Sequence, residues 1–256
     1  MELSSRTTPG VYWTHNDSGD GPFIYAFDNR GYRRGVWRVT GATARDWEDI
    51  AAGPGPQRNS HYLYVGDIGD NNDRRAEIIV YRVPEPVIRP ADAGSTKSKP
   101  RMTEAAETIR LQYPDGKHNA EALLVHPVSG NIYIVTKVPF ANPTVYEAAA
   151  PHSATTTTTL SRVGELKVPS LFGGIITGGA ISLNGRRVAL CDYGQGYEIV
   201  LPNAATGFNS IWKQPISSVA LGNRKQGEAI TYRLDGRALL VTSEGLPTPL
   251  IQVVRR

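Results

Sequence analysis

Short apolar runs alternate with turn residues along the entire chain, and none is longer than about five residues. Phe23-Ile24-Tyr25-Ala26-Phe27, His61-Tyr62-Leu63-Tyr64-Val65, Asn131-Ile132-Tyr133-Ile134-Val135, Arg187-Val188-Ala189-Leu190 and Ala238-Leu239-Leu240-Val241 are typical. They are rich in β-branched and aromatic residues, and nothing shows sustained helical periodicity, so the pattern predicts strands. Between them stand Ser129-Gly130-Asn131, Asn184-Gly185-Arg186 and Asp235-Gly236-Arg237, which are strong hairpin signals.

The strands come in a repeat. Trp47-Glu48-Asp49-Ile50-Ala51, Ala120-Glu121-Ala122-Leu123-Leu124 and Gly227-Glu228-Ala229-Ile230-Thr231 superimpose, with Gly178-Gly179-Ala180-Ile181-Ser182 as a copy that has Gly179 in the Glu position. Glu2-Leu3-Ser4 is a further copy. Each copy is followed by a hairpin turn, a second strand, a third and in most cases a fourth, the last of these in the fourth unit being Ser210-Ile211-Trp212. Four-stranded units at a period of about 50 residues read as propeller blades. The expectation is an all-β chain forming a single propeller domain over 1–256 with five blades, near 2–41, 46–113, 119–168, 177–214 and 226–256, the last three-stranded. A six-bladed count is the alternative. The segments Pro84 to Glu107 and Pro151 to Thr159 read as solvated insertions.

Blade geometry sorts the polar residues. Strand directions alternate from the channel outward, so the entries to the innermost strands and the connections between second and third strands share one face. His15-Asn16-Asp17-Ser18-Gly19-Asp20, Gly66 to Asp73, Lys137-Val138-Pro139, Asp192 to Tyr197, Asp46-Trp47-Glu48, Lys117 to Glu121 and Lys225 to Glu228 all fall there.

Composition adds exclusions. The chain has 256 residues and a net charge of +4. Its basic residues are scattered through turns and strand flanks, which argues against a nucleic-acid surface. No run is long enough to cross a membrane as a helix. One cysteine, Cys191, permits neither an internal disulfide nor a thiolate cluster. Met1 to Ser5 contain no apolar segment, so no signal peptide is read in this chain, and the compartment stays open. A monomer is expected.

Three or four Glu residues at one channel mouth admit two readings. They either accept hydrogen bonds from backbone N–H groups of neighbouring blades, or they form a functional ring. Close carboxylates raise one another's pKa unless a cation or hydrogen bonds intervene. Such a set suits calcium, the one cofactor the chain implies, or general acid–base chemistry. Metal-ligand candidates are Glu48, Asp67, Asp70 and Asn71. Catalytic candidates are His15, His118, Glu121 and Glu228, with either histidine as base. Asp17, Trp47, Glu48, Asp67, Asn119, Lys137, Tyr193 and Gln226 are candidate ligand contacts. Trp47 either stacks on a sugar or packs between blades; the Asp- and Asn-rich loops either bind calcium or simply turn the chain. No nucleophile elbow, phosphate loop or Cys–His pair is present. The leading expectation is a hydrolase or lyase acting on a polar or carbohydrate-like small molecule. A cofactor-free cyclase or isomerase, and a non-catalytic propeller that binds a glycan or peptide, are the alternatives.

The motifs Tyr12-Trp13-Thr14-His15-Asn16-Asp17-Ser18-Gly19-Asp20, Asp46-Trp47-Glu48-Asp49-Ile50-Ala51, Tyr64 to Asn71 and Gln226-Gly227-Glu228-Ala229-Ile230 resemble a group of bacterial β-propeller proteins common in actinomycetes. The resemblance spans nearly the whole chain. It implies a propeller, often exported, without assigning a reaction. More distantly the arrangement looks like calcium-dependent propeller lactonases and propeller phytases, a fold analogy that transfers no catalytic residue.

Overall fold

Because both faces of every inner strand are buried, the chain reads as continuous apolar runs where a half-exposed sheet would alternate. In the strand His61–Asp67, Leu63 and Val65 pack towards one neighbouring sheet while Tyr62 and Tyr64 pack towards the other. The computed structural model describes residues 6–17, 19–170, 173–203, 207–245 and 247–255, and these form five radial sheets. Blade 1 comprises Val11–His15, Phe23–Asp28, Arg33–Thr40 and Arg101–Ala105. Blade 2 comprises Trp47–Pro54, His61–Asp67, Ile78–Pro84, Glu107–Gln112 and Thr158–Thr159. Blade 3 comprises Ala120–Val125, Ile132–Thr136, Thr144–Ala148 and Ser161–Glu165. Blade 4 comprises Gly178–Ile181, Arg187–Cys191, Gly196–Val200 and Ile216–Val219. Blade 5 has three strands, Gly227–Tyr232, Ala238–Ser243 and Ile251–Val254.

Five apolar clusters lie one between each pair of neighbouring blades, and together they close the ring. Trp13, Trp37 and Leu63 join blades 1 and 2; Tyr64, Leu123 and Ile134 join blades 2 and 3. Leu124, Val188 and Leu190 join blades 3 and 4; Cys191, Ile230 and Leu239 join blades 4 and 5. Tyr12, Ala229 and Leu240 join blade 5 back to blade 1. This closure settles the blade count at five rather than six. The proposed first copy, Glu2-Leu3-Ser4, lies outside the described residues.

Three expectations need correcting. Pro84 to Glu107 is not a solvated insertion. It leaves blade 2, forms a short 3-10 helix at Pro90–Gly94, and lays Arg101–Ala105 parallel against the outer strand of blade 1. Buried bonds tie it down: Trp13 Nε1 donates to Glu85 Oε1 (3.0 Å), and Val36 N donates to Ser95 Oγ (2.8 Å). The threonine run is used in the same way. Thr158–Thr159 pairs in parallel with Leu111 and Gln112 of blade 2. Each insertion thus straps its own blade to the preceding one. Third, Ser210-Ile211-Trp212 is not the fourth strand of blade 4. Phe208–Lys213 is a 3-10 turn, because Phe208 and Trp212 both turn inward to pack on Tyr133 of blade 3. The fourth strand is Ile216–Val219.

The strap makes a testable contribution to stability. Ser95→Ala leaves the buried Val36 N–H without its acceptor, a loss of about 1–3 kcal/mol. The urea midpoint should fall accordingly, and an unchanged midpoint would show that the strap is dispensable.

Candidate functional site

The innermost strands of blades 2, 3 and 5 share a feature the sequence repeat does not display. Trp47 pairs with Asp67 and Asp49 with Gly66, so Glu48 is the extra residue of a β-bulge. Glu121 is skipped in the same way between Ala120 and Ala122, and Glu228 between Gly227 and Ala229. A bulge re-aims the side chain it carries. Here it places three glutamates on one cavity of about 960 Å³ at the channel mouth, together with His15, Asp17, Thr177 and Glu244.

Blade 4 has no bulge, since Gly178 to Ile181 pair one-to-one with Cys191 to Val188. Counted back from the hairpin, Thr177 stands in the Glu position, not Gly179. Thr177 is buried and its hydroxyl donates to Gly227 O (2.7 Å), tying blade 4 to blade 5.

The role of accepting N–H groups from neighbouring blades exists, but it belongs to the next residue. Asp49, 3% exposed, accepts from Ile50 N (2.9 Å) and from Leu123 N of blade 3 (3.0 Å). It is also bonded to the backbone of Gly179 in blade 4. Its carboxyl is pushed up to about 6 by burial, with the N–H bonds pulling the other way.

With that role filled by Asp49, the glutamates crowd one another. Burial first, then Glu121, Asp17 and Asp46, push the Glu48 carboxyl up to about 9. Glu121 rises to about 7, again mainly by burial, against the pull of Lys137. Burial and Glu244 raise Glu228, and burial and Asp17 raise Asp46. Lys137 Nζ donates to Glu121 Oε1 (2.5 Å) and to Tyr193 Oη (2.8 Å). Burial disfavours its charge, but these two bonds hold its pKa above the usual lysine value. Gln226 Nε2 donates to Glu228 Oε1 (2.7 Å) and to Glu244 Oε2 (2.5 Å). One carboxylate oxygen from each of Asp17, Asp46 and Glu48 lies within 4.8 Å of the others.

His15 lines the same cavity, with its ring edge-on to Trp47. Burial lowers its pKa to about 4, so it is neutral near pH 7. Its Nδ1 lies 2.8 Å from Asn16 O, a pure acceptor, so the proton sits on Nδ1 and Nε2 carries the lone pair.

Several residues read as site candidates do other work. Trp47 is 1% exposed and packs between blades 1 and 2, its indole N–H bonded to Thr43 O, so it has no face to offer a sugar. Asp67 pairs with Arg75 (2.8 Å) and accepts from Arg45 N and Asp46 N, which turns it into the anchor that sets Asp46 in place. Asp70 accepts from Arg74 N and Arg75 N and donates its own N–H to Asn119 Oδ1. Asn119 in turn donates to Asn71. The acidic loop is therefore a locked turn, and of the four candidate metal ligands only Glu48 lies in the carboxylate cluster with Asp17 and Asp46. His118 lies on the expected face but away from the mouth. It contacts Asp115 (3.0 Å) and Tyr146 (3.1 Å) and stacks edge-on to Tyr113 between blades 2 and 3. Asp46, Thr177 and Glu244 are the mouth residues that the repeat did not single out. Asp46 could have been found from its place two residues before Glu48, at the entry to the same strand.

Fold and site define the class: a five-bladed β-propeller with a carboxylate-rich cavity at one mouth of its channel. No model of a known family matches the chain, and no curated protein sequence does. Among solved structures it is similar to one described as the Dos1 propeller, at 8% identity and a TM-score of 0.43, covering 91% of this chain. The match spans 64% of that protein's length. It is also similar to a structure of a nidogen/laminin complex, at 14% identity and a TM-score of 0.44, covering 87% of this chain and 68% of that one.

Proposed function

We propose that the channel mouth is the active site of a hydrolase or lyase that acts on a neutral, polar small molecule with a calcium ion bound. The carrying observation is the convergence of Asp17, Asp46 and Glu48 to within 4.8 Å beside a glutamate poised at about 7. Oxygens that close match the first shell of calcium, whose ligand distances are about 2.3–2.6 Å. Glu48 and Asp46 both keep raised pKa values despite the opposing charges of Lys137 beside Glu48 and of Arg75 and Arg45 beside Asp46, and a divalent cation would offset the remaining penalty. When bound, calcium polarises a carbonyl or similar oxygen of the substrate as a Lewis acid.

This chain's own residues supply the rest. Glu121, with a pKa near the working pH, takes a proton from water or substrate; general bases are most effective when so matched. Lys137 holds that carboxylate in place and offsets its charge. The lone pair on His15 Nε2 accepts a substrate or water O–H. Glu228, held by Gln226, faces the same space. A concave mouth with convergent His and Glu, and no flat aromatic rim among the described residues, supports catalysis over glycan or peptide display.

A screen of lactones, carboxylic esters and carbohydrate-type substrates, with calcium and with chelator, tests this reading. Turnover should require calcium and fall at least about 100-fold in Glu121→Gln with the melting temperature retained, the range expected for a lost general base. Absence of turnover across all three classes would favour a binding propeller instead.

A further inference from the structure

A second concavity lies beside the mouth and has a different chemistry. It measures about 520 Å³ and is walled mainly by apolar surface from Pro169, Ile175, Tyr193 and Tyr197. Its polar groups are already engaged with one another. Asp192 accepts from Gly194 N (2.9 Å), Gln195 N (2.6 Å) and Tyr197 Oη (2.5 Å). Gln195 Nε2 donates to Val219 O (3.2 Å). A slot whose polar atoms are satisfied internally recognises shape and apolar surface, and its size falls in the range of ligand pockets.

This slot is built, and Lys137 links its wall to the mouth. Val138–Pro139, which follows Lys137 in the chain, pairs with Gly173–Gly174 as a two-stranded ribbon, and this fixes the backbone just before Ile175. The approach is closer than side chains allow. Gly173 has a φ of +70°, and a Cβ there would lie 2.8 Å from Phe140 Cα; a Cβ on Gly174 would collide with Pro143. The ammonium of Lys137 touches both compartments, since it bonds Glu121 in the mouth and Tyr193 in the slot wall. Tyr193 of the slot wall and Glu121 of the mouth thus share one ammonium as hydrogen-bond partner, which sets the slot next to the carboxylates.

We infer that the substrate is amphiphilic: a polar reacting group sits among the carboxylates, and an apolar, ring-sized substituent fills the slot formed by Pro169, Ile175, Tyr193 and Tyr197. This rests on the mouth being the reacting site. Tyr193 and Ile175 are then specificity residues, not catalytic ones, and the site discriminates substrates by what they carry next to the reacting bond.

4-Nitrobenzyl alcohol, followed by ligand-observed NMR, probes the slot without needing turnover. It should bind wild type and Glu121→Gln with equal affinity, and Tyr193→Phe nearly as well. Ile175→Asp and Tyr193→Ala should each weaken it at least tenfold while melting as wild type. Two variants from separate segments of the chain guard against one failing to fold. Unchanged affinity in both, or no saturable binding to wild type, would overturn the inference. Fragment binding that persists while no substrate turns over would instead sink the catalytic reading of the mouth, so the two failures are distinguishable.

Discussion

Asp49→Ala should leave little folded protein. The side chain is the acceptor for backbone N–H groups of blades 2, 3 and 4 at the channel axis, where water has no access. Each buried N–H left unpaired costs about 1–3 kcal/mol, and three together approach the 5–15 kcal/mol that typically holds a domain folded. Asp49→Asn keeps one acceptor oxygen and should fall between the two. Denaturant midpoints measure both. A midpoint for Asp49→Ala within experimental error of wild type would show that the blades are held without this residue.

The second large effect concerns pH. Carboxyls whose folded pKa exceeds the unfolded value bind more protons when folded, so each costs stability as pH rises through that interval. Asp49 acts between about 4 and 6, Glu121 up to about 7 and Glu48 up to about 9. His15 has the opposite sign. Its folded value of about 4 lies below the ordinary histidine value of 6.5, so its contribution grows as pH rises between them and is complete above 6.5. Below pH 6.5 the two trends therefore offset. Above it the glutamates act alone, and the calcium-free protein should lose about 5 °C or more in melting temperature between pH 6.5 and 9, given roughly 2–4 °C per kcal/mol for a chain of this size. Glu48→Gln should flatten that slope. The titrations are coupled, so the fitted values describe the cluster as a whole. A melting temperature that is level or rising from pH 6.5 to 9 would mean that the mouth carboxylates are better solvated than the structure places them.

How much of this was legible in the chain differs between fold and site. The blade count and the face that gathers Glu48, Glu121 and Glu228 were readable because hairpin signals such as Asp235-Gly236 fix strand direction, and direction fixes which loops share a face. The bulges were not. A bulge adds one residue to a strand without changing its composition, so Glu48, Glu121 and Glu228 looked like ordinary strand positions, and Gly179 was matched where Thr177 belongs. The division of labour between Glu48 and Asp49 also hangs on that one-residue offset. The straps escaped notice because their strands pair with the preceding blade, and Pro, Ala, Ser and Thr in an insertion look solvated until a partner edge is known. His118 shows the limit of sorting by face. Strand direction places a residue at the top or bottom of a propeller but says nothing of its distance from the axis, and His118 is held off-centre by Asp115 and Tyr146.

The central claim is that the three bulged glutamates, with Asp17 and Asp46, make the channel mouth a cation-dependent catalytic centre. Calorimetric titration of calcium into chelator-stripped protein at pH 8 tests it most directly, repeated at pH 6 and with Glu48→Gln. The account predicts saturable binding at one site, weakened at pH 6 because protons compete for the same carboxylates, abolished in Glu48→Gln, and matched by a calcium-dependent rise in melting temperature. Absence of binding at pH 8, or binding that Glu48→Gln leaves intact, would contradict it.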